Sequence, residues 1–453
     1  MALSENTGTA TVEGRPAAPL RRFVDRVRTF LAPVQSRVAV LEVDTRLVGM
    51  IAALAIIWIG FNIAGNGTFI TARNLWNLSV QSASIAIMAT GMVLIIVSRN
   101  IDLSVGSMLA FVGYTMAMLQ AVWIPQWFGA EPQPWIWIVT LLVGVGLGAL
   151  VGGVQGFIVA YGGVPSFIVT LGGLLIWRGL IFRFAQGQTI APLDQTFQML
   201  GGGTVGTRVG ALGDIGSWIL GGIACVAIIA SLVLARRRKR RYGFPTRPMW
   251  AEIAVGLIAC GAALAAVFVA ISYPLPQNVA AAVAKEKGIA VPPGGFATGV
   301  AIPVLVLIIV GIVVTFLATR RQFGRYVYAI GGNPDAAVLG GINVRWTILK
   351  TFALMGILAG ISAAVSTARL NSAVTNLGTQ NELDVISAAV IGGTSFSGGI
   401  GTIPGAILGA VVMQSLRSGM SLLNVDSPMQ DVIVGVVLVT AVGLDTLLRR
   451  KAG

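Results

Sequence analysis

Residues 301–318 read AIPVLVLIIVGIVVTFLA, with no charge and a single threonine hydroxyl. At about 1.5 Å per residue such a run makes a helix of roughly 27 Å, close to the roughly 30 Å hydrocarbon thickness of a bilayer. A membrane strand would instead alternate apolar and polar residues over about ten positions, so the unbroken run selects a helix. The same kind of run recurs outward in both directions, near 47–64, 75–97, 103–122, 135–159, 165–185, 216–235, 249–272, 347–367, 385–397, 403–423 and 429–447, the one at 385 being short and glycine-rich. Only 11% of the 453 residues are charged, against about 25% in soluble domains. Backbone groups in lipid must find their partners within the segment. The expectation is an all-α polytopic membrane protein of about 12 transmembrane helices, some broken or short.

Lys and Arg stay on the cytoplasmic side of short loops. Arg21, Arg22, Arg26, Arg28, Arg37 and Arg46 precede the first segment; Arg99 follows the second; ARRRKRR (235–241) follows the sixth; Arg320, Arg321, Arg325 and Arg345 follow the eighth; and RRKAG ends the chain. Twelve spans put all of these on one side, which predicts that both termini are cytoplasmic. The predicted organisation is a cytoplasmic tail at 1–46, a first transmembrane half at 47–185, a divergent stretch at 186–298 with outer loops and two helices, a second half at 299–447 with a cytoplasmic loop at 320–346, and a cytoplasmic end at 448–453. The tail begins no signal peptide, and Leu20–Val40 has the pattern of an amphipathic stretch on the membrane surface. Trp123, Trp127, Trp135 and Trp137 crowd one outer loop as interface anchors. The net charge of +14 fits topology and lipid headgroups and calls for no nucleic acid.

Chemistry is sparse. The chain has no histidine, and its two cysteines, Cys225 and Cys260, sit in apolar runs as small buried hydrophobes. No GxxxxGK[ST] loop, HExxH or nucleophile constellation occurs, and nearly all acids lie near segment ends. No enzyme, metal site or bound cofactor is expected, and uphill work would have to come from a partner.

Three places break the lipid pattern. In SRNIDLSVGSMLAFVGY (98–114), Asp102 and Ser104 stand at a helix start, where Asp caps amides and where a broken helix also shapes a solute path. In YGGVPSFIVTLGGLLIWRGL (161–180), Arg178 must snorkel or face an aqueous route. In the stretch 369–405, Asn371, Glu382, Asp384, Thr394 and Ser395 accompany an irregular backbone that protein or water must cover. These eight residues are the candidates for a translocation path or gate.

The loop GRYVYAIGGNPDAAVLG (324–340) predicts a Gly331–Gly332 turn and then a short surface helix, Pro334–Leu339. Asn333 caps it, Pro334 starts it, Asp335 faces its positive end and Gly340–Gly341 stop it. One reading is an ordinary loop. The other is an apolar knob of Ala336, Ala337, Val338 and Leu339, braced by Tyr326 and Tyr328, fitting a groove of a soluble motor.

At this point the chain resembles the membrane permeases of bacterial ATP-binding-cassette sugar importers, the ribose, arabinose, galactose and xylose branch, and within it the xylose subfamily most closely. The likeness is carried by QGFIVA (155–160), GGVPSFIVTLGGLLIWRG (162–179), IDLSVGSMLAFVG (101–113), GRYVYAIGGNPDAAVLGGINV (324–344), ARLNSA (368–373), ELDVISAAVIGGTSFSGGIGTIPGAILGA (382–410) and SPMQDVIVGVVLV (427–439). The resemblance implies a family core of about ten spans, to which the stretch 186–298 adds a pair. It implies a homodimer in the bacterial inner membrane, a periplasmic or lipid-tethered sugar-binding protein, and passage of a monosaccharide, xylose or another pentose. It also implies a cytoplasmic ATPase that consumes ATP and Mg and docks on Gly324, Arg325, Tyr326, Gly332, Asn333, Pro334, Asp335, Ala336, Leu339 and Gly340. The rival readings are an ion-coupled sugar carrier and a passive channel.

Overall fold

The computed structural model describes residues 45–129 and 133–450. The tail at 1–44, with its Leu20–Val40 stretch, and the final residues 451–453 lie outside them.

Each of the twelve apolar runs contains a helix: α1 Thr45–Ala64, α2 Ala72–Val97, α3 Val105–Met118, α5 Ile136–Gly162, α6 Ser166–Ala185, α8 Gly213–Arg241, α9 Met249–Ile271, α11 Ile302–Arg320, α14 Val344–Leu370, α15 Asn381–Ile391, α16 Ile403–Leu422 and α17 Ser427–Arg450. A π-helical turn, Leu119–Trp123, joins α3 to α4, Ile124–Phe128. Among the described residues nine helices are long and apolar enough to cross a membrane. The expected short element is α15, whose 11 residues span only roughly 16 Å, about half the hydrocarbon thickness. Between α6 and α11 lie α7 Gln195–Met199, a two-stranded hairpin, β1 Thr204–Val205 and β2 Arg208–Val209, and α10 Gln277–Lys287, besides α8 and α9.

The core is built on α14 and α2. Along α5, Gly148, Gly152 and Gly156 recur every four residues and face α14. A Cβ on Gly148 would overlap the Gly356 carbonyl, and one on Gly356 would overlap the Gly148 carbonyl. Small residues let backbones touch where lipid offers no hydrophobic drive, so van der Waals packing holds this crossing. Gly148→Ala is expected to cost about 1–3 kcal/mol by overpacking and to lower the thermal unfolding temperature. Gly146→Ala, on the open face of the same helix where a Cβ meets nothing within 4 Å, should leave it unchanged. Equal melting curves for the two variants would refute the interface. On the other side, α2 is buried over nearly all its length and packs on α14, α16, α11 and α15.

Helix directions assign the charges to ends. Gly213 pairs with Gly299 and Ala211 with Ala301, so α8 and α11 start side by side, and as spans of one bundle both run to its other end, where Arg241 and Arg320 close them. The Trp76 indole, near the start of α2, donates to the Gly299 carbonyl at 2.8 Å, so α2 runs the same way and Arg99 follows its end. The basic clusters Arg99, Arg236–Arg241 and Arg320–Arg325 therefore share one end of the bundle, as the residue pattern required.

Candidate functional site

At that basic end the predicted helix forms over the expected residues, as α13, Pro334–Leu339. The Asn333 side chain accepts from the Ala336 amide at 3.0 Å, satisfying a donor that the first turn leaves unpaired. Leu339 is 89% exposed and Val338 59%, while Ala337 is 5% exposed and turns inward. The knob is therefore Val338 and Leu339 with the exposed Ala336, rather than all four residues. The expected Gly331–Gly332 turn does not form. Both residues end a preceding helix, α12, Gln322–Gly332. The reason is tertiary: the Arg99 guanidinium donates from Nε to the Gly331 carbonyl and from Nη2 to the Gly332 carbonyl, each at 2.8 Å, satisfying the last carbonyls of α12. Gly331 also packs so closely on the Val97 carbonyl that any side chain there would overlap it. Tyr328 braces the region, its hydroxyl donating to the Gly401 carbonyl at 2.7 Å. Tyr326 is instead partly exposed.

Thr394 and Ser395 sit in the turn between α15 and α16, which meets this same end. The Gly399 amide donates to the Val97 carbonyl at 3.0 Å, and the Ser395 and Ser397 hydroxyls lie 2.7 Å apart. Both candidates are thus beside the pinned end of α2, away from the polar cavity described next.

A cavity of about 260 Å³ opens between α2, α14, α15 and α16. Gln81 and Ser84 of α2, Ser366 and Arg369 of α14, Thr379, Asn381 and Asp384 around the start of α15, and Gln414 and Arg417 of α16 line it. Arg417 holds its floor together. It meets Asp384 through two nitrogens, Nε to Oδ2 and Nη2 to Oδ1, both at 2.9 Å, and reaches Asp431 of α17 with Nη1 at 3.2 Å. This bidentate pair joins three helices, and removing one partner would leave a largely buried charge uncompensated. The Gln414 amide nitrogen donates to the Gln81 side-chain oxygen at 2.9 Å, and the Ser84 hydroxyl lies 2.6 and 2.7 Å from those of Ser362 and Ser366. Among the described residues the Arg369 side chain has neither a hydrogen bond nor an ion pair.

The remaining candidates occupy two breaks that meet in the interior. Asp102 is fully buried just before α3 and accepts from the Ser104 amide at 2.8 Å and the Ser104 hydroxyl at 2.7 Å; it bonds the residue that precedes the helix and not an amide of its first turn, so it is not the expected cap. Among the described residues its Oδ2 has no hydrogen-bond partner. The other break descends from α14 through Gly378, whose backbone touches that of Gly106, while Glu382 lies against Gly106. Arg178 donates to the carbonyls of Thr375 and Leu377 at 3.2 and 2.8 Å, so it fastens this descending segment. Asn371 does not line the cavity. It ends α14 in the left-handed region and accepts from the Leu193 amide at 2.9 Å. Of the eight path candidates only Asp384 is among the cavity-lining residues. Gln81, Gln414, Arg369 and Arg417 were not singled out from sequence; an arginine within a 20-residue apolar run, as at 417, was the available signal.

The family profile described as "Branched-chain amino acid transport system / permease component" matches residues 74–442. The xylose transport system permease protein XylH of Haemophilus influenzae is 35% identical over 410 residues, covering 90% of this chain and 98% of the relative. XylH of Escherichia coli is 34% identical over 403 residues, 89% of this chain and 92% of the relative. The ribose import permease RbsC of Escherichia coli is 30% identical over 396 residues, 87% and 92% of the two chains. No solved structure matches the chain. The chain accordingly belongs to this family of multi-pass transport-system permeases.

Proposed function

We propose that this chain is the membrane subunit of an ATP-driven sugar importer and carries a monosaccharide, xylose or another pentose, across the bacterial inner membrane. It works as a homodimer, with the α12–α13 end and both termini in the cytoplasm, a nucleotide-hydrolysing subunit gripping Val338 and Leu339, and a sugar-binding protein delivering solute to the opposite end. The bunching of arginines at the α12–α13 end supports that orientation. The two xylose permease relatives support the substrate class.

One observation carries the reading: a stiff exposed knob is tied by Arg99 to the end of α2, whose Gln81 and Ser84 line the polar cavity. Force on the knob has a continuous path to the cavity wall. The cavity offers neutral amides and hydroxyls beside the Asp384–Arg417 pair and the Arg369 guanidinium, which suits the hydroxyls of a small neutral polyol. Its volume lies just below the roughly 300–1,000 Å³ of drug-sized pockets, which fits a solute as small as a pentose.

The test is reconstitution of this chain in vesicles with its ATPase and binding protein. Xylose is expected to raise ATP turnover and to accumulate inside only when all components and ATP are present. Accumulation by this chain alone under an ion gradient would overturn the reading in favour of a self-sufficient carrier, and downhill flux without nucleotide would favour a channel.

A further inference from the structure

The α8–α9 hairpin has no role in the path just described. Within α8 only Ser217 and Gly221 are buried, and within α9 only Ala251 and Val267, so most of both helices presents apolar side chains outward. At the basic end α8 continues past Ala235 into Arg236, Arg237, Arg238, Lys239, Arg240 and Arg241 before the turn at Gly243. Arg236 is paired with Glu252 of α9. Arg237, Arg238, Arg240 and Arg241 are exposed, and Tyr242, Phe244 and Trp250 are exposed at the same level.

We infer that this end of the hairpin is a binding site for anionic phospholipid headgroups. A helix turns about 100° per residue, so the exposed Arg237, Arg238, Arg240 and Arg241 form a partial ring over about 160°, on the same side as the exposed Ile219, Ile223, Val226 and Leu234, while Arg236 and Lys239 fall on the other side, Arg236 against Glu252 of α9. A side that is apolar along the helix and cationic at its end matches lipid tails and then headgroups. The ring lies where an apolar helix leaves the hydrocarbon, and the aromatic side chains beside it have the amphipathic form favoured at that boundary. The helix C-terminus stabilises the cations of its last turn, Arg238–Arg241, only to a modest degree. The rest of the matching charge comes from phosphate, as for basic clusters next to membrane spans generally.

The site is tested by native mass spectrometry of the purified full chain, solubilised with equal amounts of phosphatidylglycerol and phosphatidylcholine. Wild type is expected to retain phosphatidylglycerol at least several-fold over phosphatidylcholine, with the preference falling at high salt. R237Q/R238Q/R240Q/R241Q should lose it, while R237K/R238K/R240K/R241K, which keeps the charge that sets topology, should retain it. Thermal unfolding and one-sided labelling of a cysteine introduced at Gly243 confirm that each variant is folded and oriented as wild type. Equal retention of the two lipids by wild type, or undiminished preference in the glutamine variant, would overturn the inference. So would unchanged lipid retention accompanied by loss of co-purifying ATPase, because that result assigns the ring to a protein contact.

Discussion

Leu339→Glu is expected to abolish solute-stimulated ATP hydrolysis and uptake while leaving the membrane protein folded. Leu339 is 89% exposed, at the tip of a six-residue helix whose Asn333 cap and Ala337 anchor hold it in place. Among the described residues almost nothing covers its side chain, and exposed substitutions of that kind usually change stability by no more than about 0.5 kcal/mol. In the proposed importer the same leucine is the side chain that would fill a groove of the ATPase. Truncating an interface anchor costs about 2 kcal/mol or more, and a carboxylate adds the penalty of a buried unpaired charge. At about 1.4 kcal/mol per factor of ten, affinity for the ATPase should fall at least about thirtyfold. The measurements are co-purification of the ATPase, xylose-dependent ATP turnover in vesicles, and thermal unfolding of the chain alone. Normal transport by this variant would remove α13 from the coupling surface.

How much of this was legible in the sequence follows from how local each signal is. The long spanning helices were, because each is a long apolar run that no other structure could bury. So was Pro334–Leu339, because Asn333, Pro334 and Asp335 satisfy a helix start within four consecutive residues. The cavity was not. Its floor depends on Arg417 meeting Asp384 across 33 positions of sequence and Asp431 across 14, and no pattern in either segment carries that pairing. The position of Asn371 was not legible for a related reason: an amide at a helix end reads the same whether it lines the cavity or, as here, accepts from Leu193. Gly331–Gly332 looked like a turn because glycine is a poor helix interior residue. It stays helical because Arg99, more than 230 positions earlier, holds both carbonyls. Propensity lost to a long-range tie in that case, and the tie is what makes the loop stiff.

That tie gives the second large effect. In Arg99→Ala the two guanidinium bonds to Gly331 and Gly332 disappear, and α12 keeps its contact with α2 through packing, that of Gly331 on Val97 and the shared neighbour Gly399 included. The knob at Leu339 is untouched, so the ATPase should bind with unchanged affinity and hydrolyse ATP at its basal rate. What fails is transmission. Two charge-assisted bonds, each contributing about 1.5–3 kcal/mol, no longer fix the angle between α12 and the end of α2. Transported solute per ATP hydrolysed is expected to drop about tenfold or more, since about 1.4 kcal/mol of lost coupling already gives a factor of ten. Arg99→Lys should recover only part of the loss, because an ammonium on a flexible stem does not reproduce the planar fork that meets two carbonyls at once. Gly331→Ala reaches the same junction from the other side: its methyl collides with the Val97 carbonyl while Arg99 is intact, and it should uncouple likewise. Loss of ATPase binding in Arg99→Ala would mean that the arginine merely supports the shape of the docking surface. Retained binding with a normal transport-to-hydrolysis ratio would show that force travels from α13 to the cavity by another route, and the direct course along α14 from Asn343 to Arg369 would then be the one left to test.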